Sequence, residues 1–96
     1  VRVSFNLFAE RELNDAAAYF ERERPGLGGA FIAEIERCTA AALGYPEAGK
    51  VATGSIRRLL CRRFPYALLY TVRPNELRIL AAMNLRRRPA YWVGRD

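Results

Sequence analysis

The sequence predicts an α+β fold in the order β-α-α-β-β-β, with a helical hairpin packed on an antiparallel sheet and a basic aromatic C-terminal tail. Three observations lead there. The first residues alternate apolar and polar, two segments carry apolar residues at helical spacing, and the second half falls into three β-rich runs divided by short turn sequences. With 96 residues and a hydrophobic share of 51%, the chain has the size and apolar content of one domain, spanning 1–96.

Val1, Val3 and Phe5 alternate with Arg2, Ser4 and Asn6, the pattern of a short half-buried strand. Asn6 is placed to cap a helix over about 7–24, in which Leu13, Ala16, Ala17 and Phe20 share a face. Arg24-Pro25-Gly26 breaks it, because the residue before proline avoids the helical region. Leu27, Phe31, Ile35, Cys38 and Ala42 then define the seam of a second helix to about Leu43, with Glu34, Glu36 and Arg37 outside that seam and Gly44 as its stop. So short a connection folds the two helices into an antiparallel hairpin. A loop from Tyr45 to Gly54 leads to strands at about 56–63, 66–72 and 77–83, the last with Leu77, Ile79, Ala81 and Met83 on one face. Phe64-Pro65 and Arg73-Pro74-Asn75-Glu76 join them into a meander.

Charge is distributed unevenly. Residues 1–48 carry five arginines and eight acidic side chains, a net of −3, whereas residues 49–96 carry eleven basic and two acidic side chains, a net of +9. Fifteen of the 16 basic residues are arginine, which suits planar contacts to carboxylates or phosphates on an acidic partner. Arg57, Arg58, Arg62, Arg63 and Arg78 cannot all face a core, so the sheet surface or its rim is expected to be positive. The tail adds Arg86-Arg87-Arg88-Pro89-Ala90-Tyr91-Trp92. Arginine beside aromatics suits an acidic groove partner, while Trp92 also reads as a plug over the core.

The chain has no histidine, which removes imidazole acid–base catalysis, Ser-His-Asp and Cys-His nucleophile pairs, and imidazole metal ligands. Cys38 and Cys61 form neither a CxxC pair nor a disulfide framework and read as reduced packing residues. Gly26-Leu27-Gly28-Gly29 lacks the spacing and lysine of a phosphate loop. No metal or cofactor is expected. No apolar run approaches the ~20 residues of a membrane span, and Val1–Phe8 alternates like structure rather than a leader, so the expected location is the cytoplasm, without membrane association.

The element order, the segment Leu43-Gly44-Tyr45-Pro46-Glu47-Ala48-Gly49, the strand pair running from Arg57 through Phe64-Pro65-Tyr66 to Tyr70, and the ending Arg86-Arg87-Arg88-Pro89-Ala90-Tyr91-Trp92 together resemble the ParE/RelE superfamily of toxins from type II toxin–antitoxin (plasmid stabilization) systems. The resemblance covers nearly the whole chain and is strongest to the ParE-like branch. It implies a small bacterial toxin that causes growth arrest and is silenced by a cognate antitoxin, ParD-like or another short protein. RelE-like members cleave mRNA on the ribosome. Of three residues that the resemblance assigns to that chemistry, Ala67 and Leu85 stand where arginines are expected and only Tyr91 matches. ParE-like members poison DNA gyrase by binding it, which needs no general acid or base. In this chain Asn84 stands where many of them carry histidine.

The expected function is gyrase inhibition through protein–protein binding, by Arg62, Arg63, Arg86, Arg87, Arg88 and Tyr91. The same face serves equally to attract an acidic antitoxin. Leu13, Tyr19, Phe20, Phe31 and Ile32 are the candidates to receive an amphipathic antitoxin segment. The enzymatic alternative is a ribosome-dependent endoribonuclease using Tyr91, Arg62 and Arg87, and a third reading is a non-toxic nucleic-acid-binding module. The free toxin, with its hairpin uncovered, is a candidate homodimer.

Overall fold

The computed structural model describes residues 2–86 and 92–95. Strand β1 (Arg2–Phe5) leads into helix α1 (Leu7–Glu23), where Asn6 takes extended backbone and its Oδ1 accepts from the Phe8 amide at 2.8 Å, the expected cap. Helix α2 (Leu27–Gly44) starts differently. Gly26 adopts φ 88° and offers no side chain, so the Glu21 carboxylate reaches over from α1 and accepts from the amides of Gly26 at 2.9 Å and Gly28 at 3.0 Å. A Cβ on Gly28 would lie 2.5 Å from the Ala17 carbonyl oxygen, so this glycine is what lets the helices close on each other.

The remaining elements are β2 (Lys50–Thr53), β3 (Ile56–Leu60), β4 (Tyr66–Arg73) and β5 (Glu76–Asn84). They form a sheet in the order β1-β5-β4-β3-β2, with antiparallel pairs except for β1, which runs parallel to β5. The sheet is therefore mixed, where an antiparallel one was expected, because the helical hairpin carries the chain from one edge to the other before the meander returns it beside β1. It also gains a strand. Lys50–Thr53, assigned to the loop from sequence, pairs with β3 through Lys50↔Arg58, Val51↔Arg57 and Thr53↔Ile56. All four of its residues are exposed, so no alternation betrays it.

The helices cover one sheet face, where Leu13, Phe31, Ile35, Cys38, Leu68, Tyr70, Leu77, Ile79 and Ala82 form the main core. On the other face Ala67, Leu69, Leu80, Ala81 and Met83 make a smaller cluster closed by Trp92. Leu77, Ile79, Ala81 and Met83 thus do not share one face. The β4–β5 register shifts between Leu69↔Ala81 and Tyr70↔Ile79, so Leu80 is an extra residue and the alternation reverses after it. The Ala82 amide then bonds Glu12 Oε1 at 3.2 Å, and the same carboxylate holds Arg95 at 2.8 Å, tying the end of the chain to α1. No described helix is long and apolar enough to cross a membrane.

Candidate functional site

The third strand was expected to reach Arg63 but ends at Leu60, and the reason builds the site. The Arg62 and Arg63 amides turn away from the sheet and donate to Glu34 Oε2 on α2, at 2.5 and 3.3 Å. Arg37, one turn further along α2, holds the same carboxylate from the other side, with Nε 2.8 Å from Oε1 and a terminal nitrogen 3.0 Å from Oε2. Glu34 was placed outside the helix seam from sequence; it is buried, and it anchors the loop. The Arg37 guanidinium, helped by the two amides, holds the Glu34 carboxyl down at about 2 against the opposing effect of burial. Arg62 and Arg63 themselves stay exposed, with the Arg63 guanidinium 5.6 Å from the centre of the Phe64 ring.

This loop joins the end of β5. The Leu85 amide donates to Pro65 O at 2.9 Å, and Asn84 Oδ1 accepts from the Arg86 amide at 2.9 Å, an Asx-type turn. Asn84 therefore has a local structural task that needs no titratable group. Beside the junction lies a cleft of about 420 Å³ lined by Tyr19, Phe20, Pro65, Tyr66, Asn84 and Arg86. Phe20, on the wall of the cleft, packs 4.9 Å from Phe64, ring centre to ring centre, and Phe64 directly follows Arg63 in the chain. The Tyr19 hydroxyl donates to Glu23 Oε1 at 2.9 Å, which pushes its pKa above the ordinary phenol value.

A second concavity, about 430 Å³ and mostly apolar, opens between β1 and the hairpin, lined by Val3, Phe5, Leu13, Ile32, Ile35, Glu36, Thr39, Ala40 and Leu43. β1 pairs with β5 and forms the sheet edge beside it.

The two predicted groups of residues are redistributed. Leu13 and Ile32 line the apolar groove, although Leu13 is 8% exposed and contributes only a floor. Phe31 is fully buried and touches Phe20, Phe64 and Tyr66, so as a contact for a partner it is corrected to a core residue. Tyr19 and Phe20, assigned with them from sequence, line the cleft with Asn84 and Arg86 instead. Arg62 and Arg63 lie on one, and Arg86 on the other, of two loops joined by the hydrogen bond from the Leu85 amide to Pro65 O. Arg87, Arg88 and Tyr91 lie outside the described residues. Trp92 is a plug, on the sheet face opposite the helices, and its Nε1 has no hydrogen-bond partner among the described residues.

No family model and no curated protein matches the chain. Among solved structures, a chain of one described as "Chromosomal ParDE TA system from P. aeruginosa" superposes with a TM-score of 0.77 at 14% identity, covering 90% of this chain and 97% of that one. At that identity the likeness concerns the backbone: the protein has the fold of a chain from that ParDE TA system.

Proposed function

We propose that this protein is the toxin of a type II toxin–antitoxin pair and that it acts by binding its target, DNA gyrase, rather than by chemistry of its own. The observation that carries this reading is the basic rim on a ParDE-type backbone: Arg62, Arg63 and Arg86 sit on two loops joined through Pro65 and Leu85, beside a half-polar cleft. Glu34 and Asn84 fix those loops, which lowers the entropy cost of presenting arginines to an acidic surface. The hydroxyl of Tyr19, raised by Glu23, stays protonated near neutral pH and is suited to hydrogen bonding, not to proton abstraction.

The cognate antitoxin fits the other concavity. An amphipathic segment would bury apolar residues against Val3, Phe5, Ile32 and Leu43, while an extended stretch could add to the β1 edge. The net charge of +6 favours an acidic antitoxin. In the absence of that segment the same surface is open to a second copy of the chain.

The test is induced expression in bacteria with growth, DNA breaks and ribosome-bound mRNA followed in one culture. Arrest with DNA breaks and intact mRNA is expected, together with relief of arrest in the Arg62→Ala, Arg63→Ala, Arg86→Ala triple variant at unchanged thermal stability. Cleaved mRNA would replace the gyrase reading with the ribonuclease one. Growth without arrest, combined with salt-steep nucleic-acid affinity, would overturn the toxin reading altogether.

A further inference from the structure

The sequence separates Cys38 and Cys61 by 23 positions, yet the fold brings their sulfurs to 3.4 Å, at the place where α2 meets the end of β3. Cys38 is buried and Cys61 is partly exposed, so the pair is closed on the core side and open toward solvent. A guanidinium nitrogen of Arg37 lies 3.5 Å from the Cys38 sulfur. The Glu34 carboxylate is the third potential ligand of the cluster, but its oxygens already accept from Arg37 and from the Arg62 and Arg63 amides. A fixed guanidinium beside the sulfurs and a fully engaged carboxylate disfavour a metal cation here. The guanidinium favours a thiolate.

We propose that Cys38 and Cys61 are a modification site: a small hydroperoxide converts them to a reversible intramolecular disulfide that ties α2 to the end of β3. The shared sulfur–sulfur hydrogen bond lowers the pKa of Cys38 and raises that of Cys61, so the resting pair carries its negative charge on Cys38, beside the Arg37 guanidinium. A proton passed to Cys38 across the 3.4 Å contact leaves the solvent-facing Cys61 sulfur to attack a peroxide oxygen; the O–O bond breaks and hydroxide or alkoxide leaves, giving a sulfenic acid on Cys61. The Cys38 sulfur, held beside it, then attacks the sulfenic sulfur; the S–S bond forms, the S–O bond breaks, and the hydroxyl leaves as water with the Cys38 proton. Two thiols and one hydroperoxide thus give one disulfide, one alcohol or water, and one water. The sulfurs must approach from 3.4 Å to the disulfide length of about 2.05 Å, a movement that χ1 adjustments on two neighbouring elements can supply. A small-molecule dithiol reverses the reaction by exchange.

The cross-link would lie directly beneath the Glu34-held loop, since Cys61 immediately precedes Arg62. Oxidation therefore restrains the attachment of the Arg62–Arg63 loop to α2, and the oxidised protein should resist urea better than the reduced one.

The experiment treats the full chain with hydrogen peroxide, quenches, denatures, blocks free thiols with iodoacetamide, and reads the intact mass. The expected product is an unalkylated monomer lighter by two hydrogens. Its tryptic map should contain Cys38–Lys50 joined to Leu59–Arg62, lost on dithiothreitol treatment. The urea midpoint should shift upward on oxidation of the wild type and return on reduction, with no shift in Cys61→Ser. Alkylation of both cysteines after peroxide treatment, a sulfinic acid, a disulfide between two chains, or an unchanged midpoint would overturn the proposal. None of these readouts depends on gyrase or an antitoxin, so the proposal stands or falls separately from the functional reading.

Discussion

Replacing Glu34 with glutamine tests whether this carboxylate holds the basic loop, because the substitution keeps the shape and removes the charge. The fall of its pKa from 4.5 to about 2 corresponds to at most about 3 kcal/mol of preference for the ionised form in the folded protein. Its principal partner Arg37 has a side chain 37% exposed, so solvent screening reduces the expected contribution to about 1–2 kcal/mol. A carboxyl depressed on folding stabilises fully above its unfolded value near 4.5, and that stability is lost as pH falls toward about 2. Urea unfolding of the wild type and Glu34→Gln should therefore differ by about 1–2 kcal/mol near pH 7, with the gap narrowing progressively below about pH 4.5. Amide exchange at Arg62 and Arg63 should accelerate in the variant, since glutamine cannot accept from both amides and also receive the Arg37 fork. A stability gap as large near pH 3 as near pH 7, or unchanged exchange at the two arginines, would mean that the Glu34 charge does not hold the loop.

Three further substitutions probe the scaffold. Gly28→Ala should destabilise by about 1–3 kcal/mol in denaturant unfolding, because the new methyl meets the Ala17 carbonyl of the facing helix and neither backbone can retreat without opening the hairpin. Tyr70→Phe should cost about 1–3 kcal/mol, since the buried hydroxyl accepts from the Gly49 amide and donates to Pro46 O, and both would lose their partner; calorimetry should show the lowered Tm. Arg95→Ala should unseat the end of the chain from Glu12, and the emission of Trp92, the single tryptophan, should shift to the red as its cover loosens. An unmoved emission maximum would mean that Trp92 holds its place without that ion pair.

The helices were legible because each writes its own period into the chain, and Asn6 and Pro25 mark their limits by local chemistry. Features that depend on distant groups were not. β2 has no buried face, so nothing in Lys50–Thr53 distinguishes it from a loop until β3 lies beside it. Glu34 reads as a solvated helix charge, since only the fold brings the Arg62 and Arg63 amides to its carboxylate. The same bonds explain why β3 ends early: the amides that would continue the ladder are already occupied. Of the candidate site, the basic character of Arg62, Arg63 and Arg86 was visible in composition, but their union through Pro65 and Leu85 was not. Phe31 shows the reverse error, an aromatic on the helix seam that looked available and is the centre of an aromatic cluster.

The extra residue at Leu80 acts as a parity switch for everything downstream. A strand assigns its side chains by odd and even position, so one inserted residue exchanges inside for outside in the rest of β5. Ala82 thereby falls beneath the helices and Met83 on the far face, each where its size fits. Deleting Leu80 would remove the doubled residue and let β5 alternate without interruption, so Ala81, Ala82 and Met83 would keep their partners Leu69, Leu68 and Ala67 and their faces, and the loss would fall on the far-face cluster that Leu80 fills. Deleting Ala82 instead would turn Met83 into the space that Ala82 fills and bring Asn84 to the sheet from the opposite face, so the side from which β5 hands the chain to Leu85 is counted from the doubled residue onward.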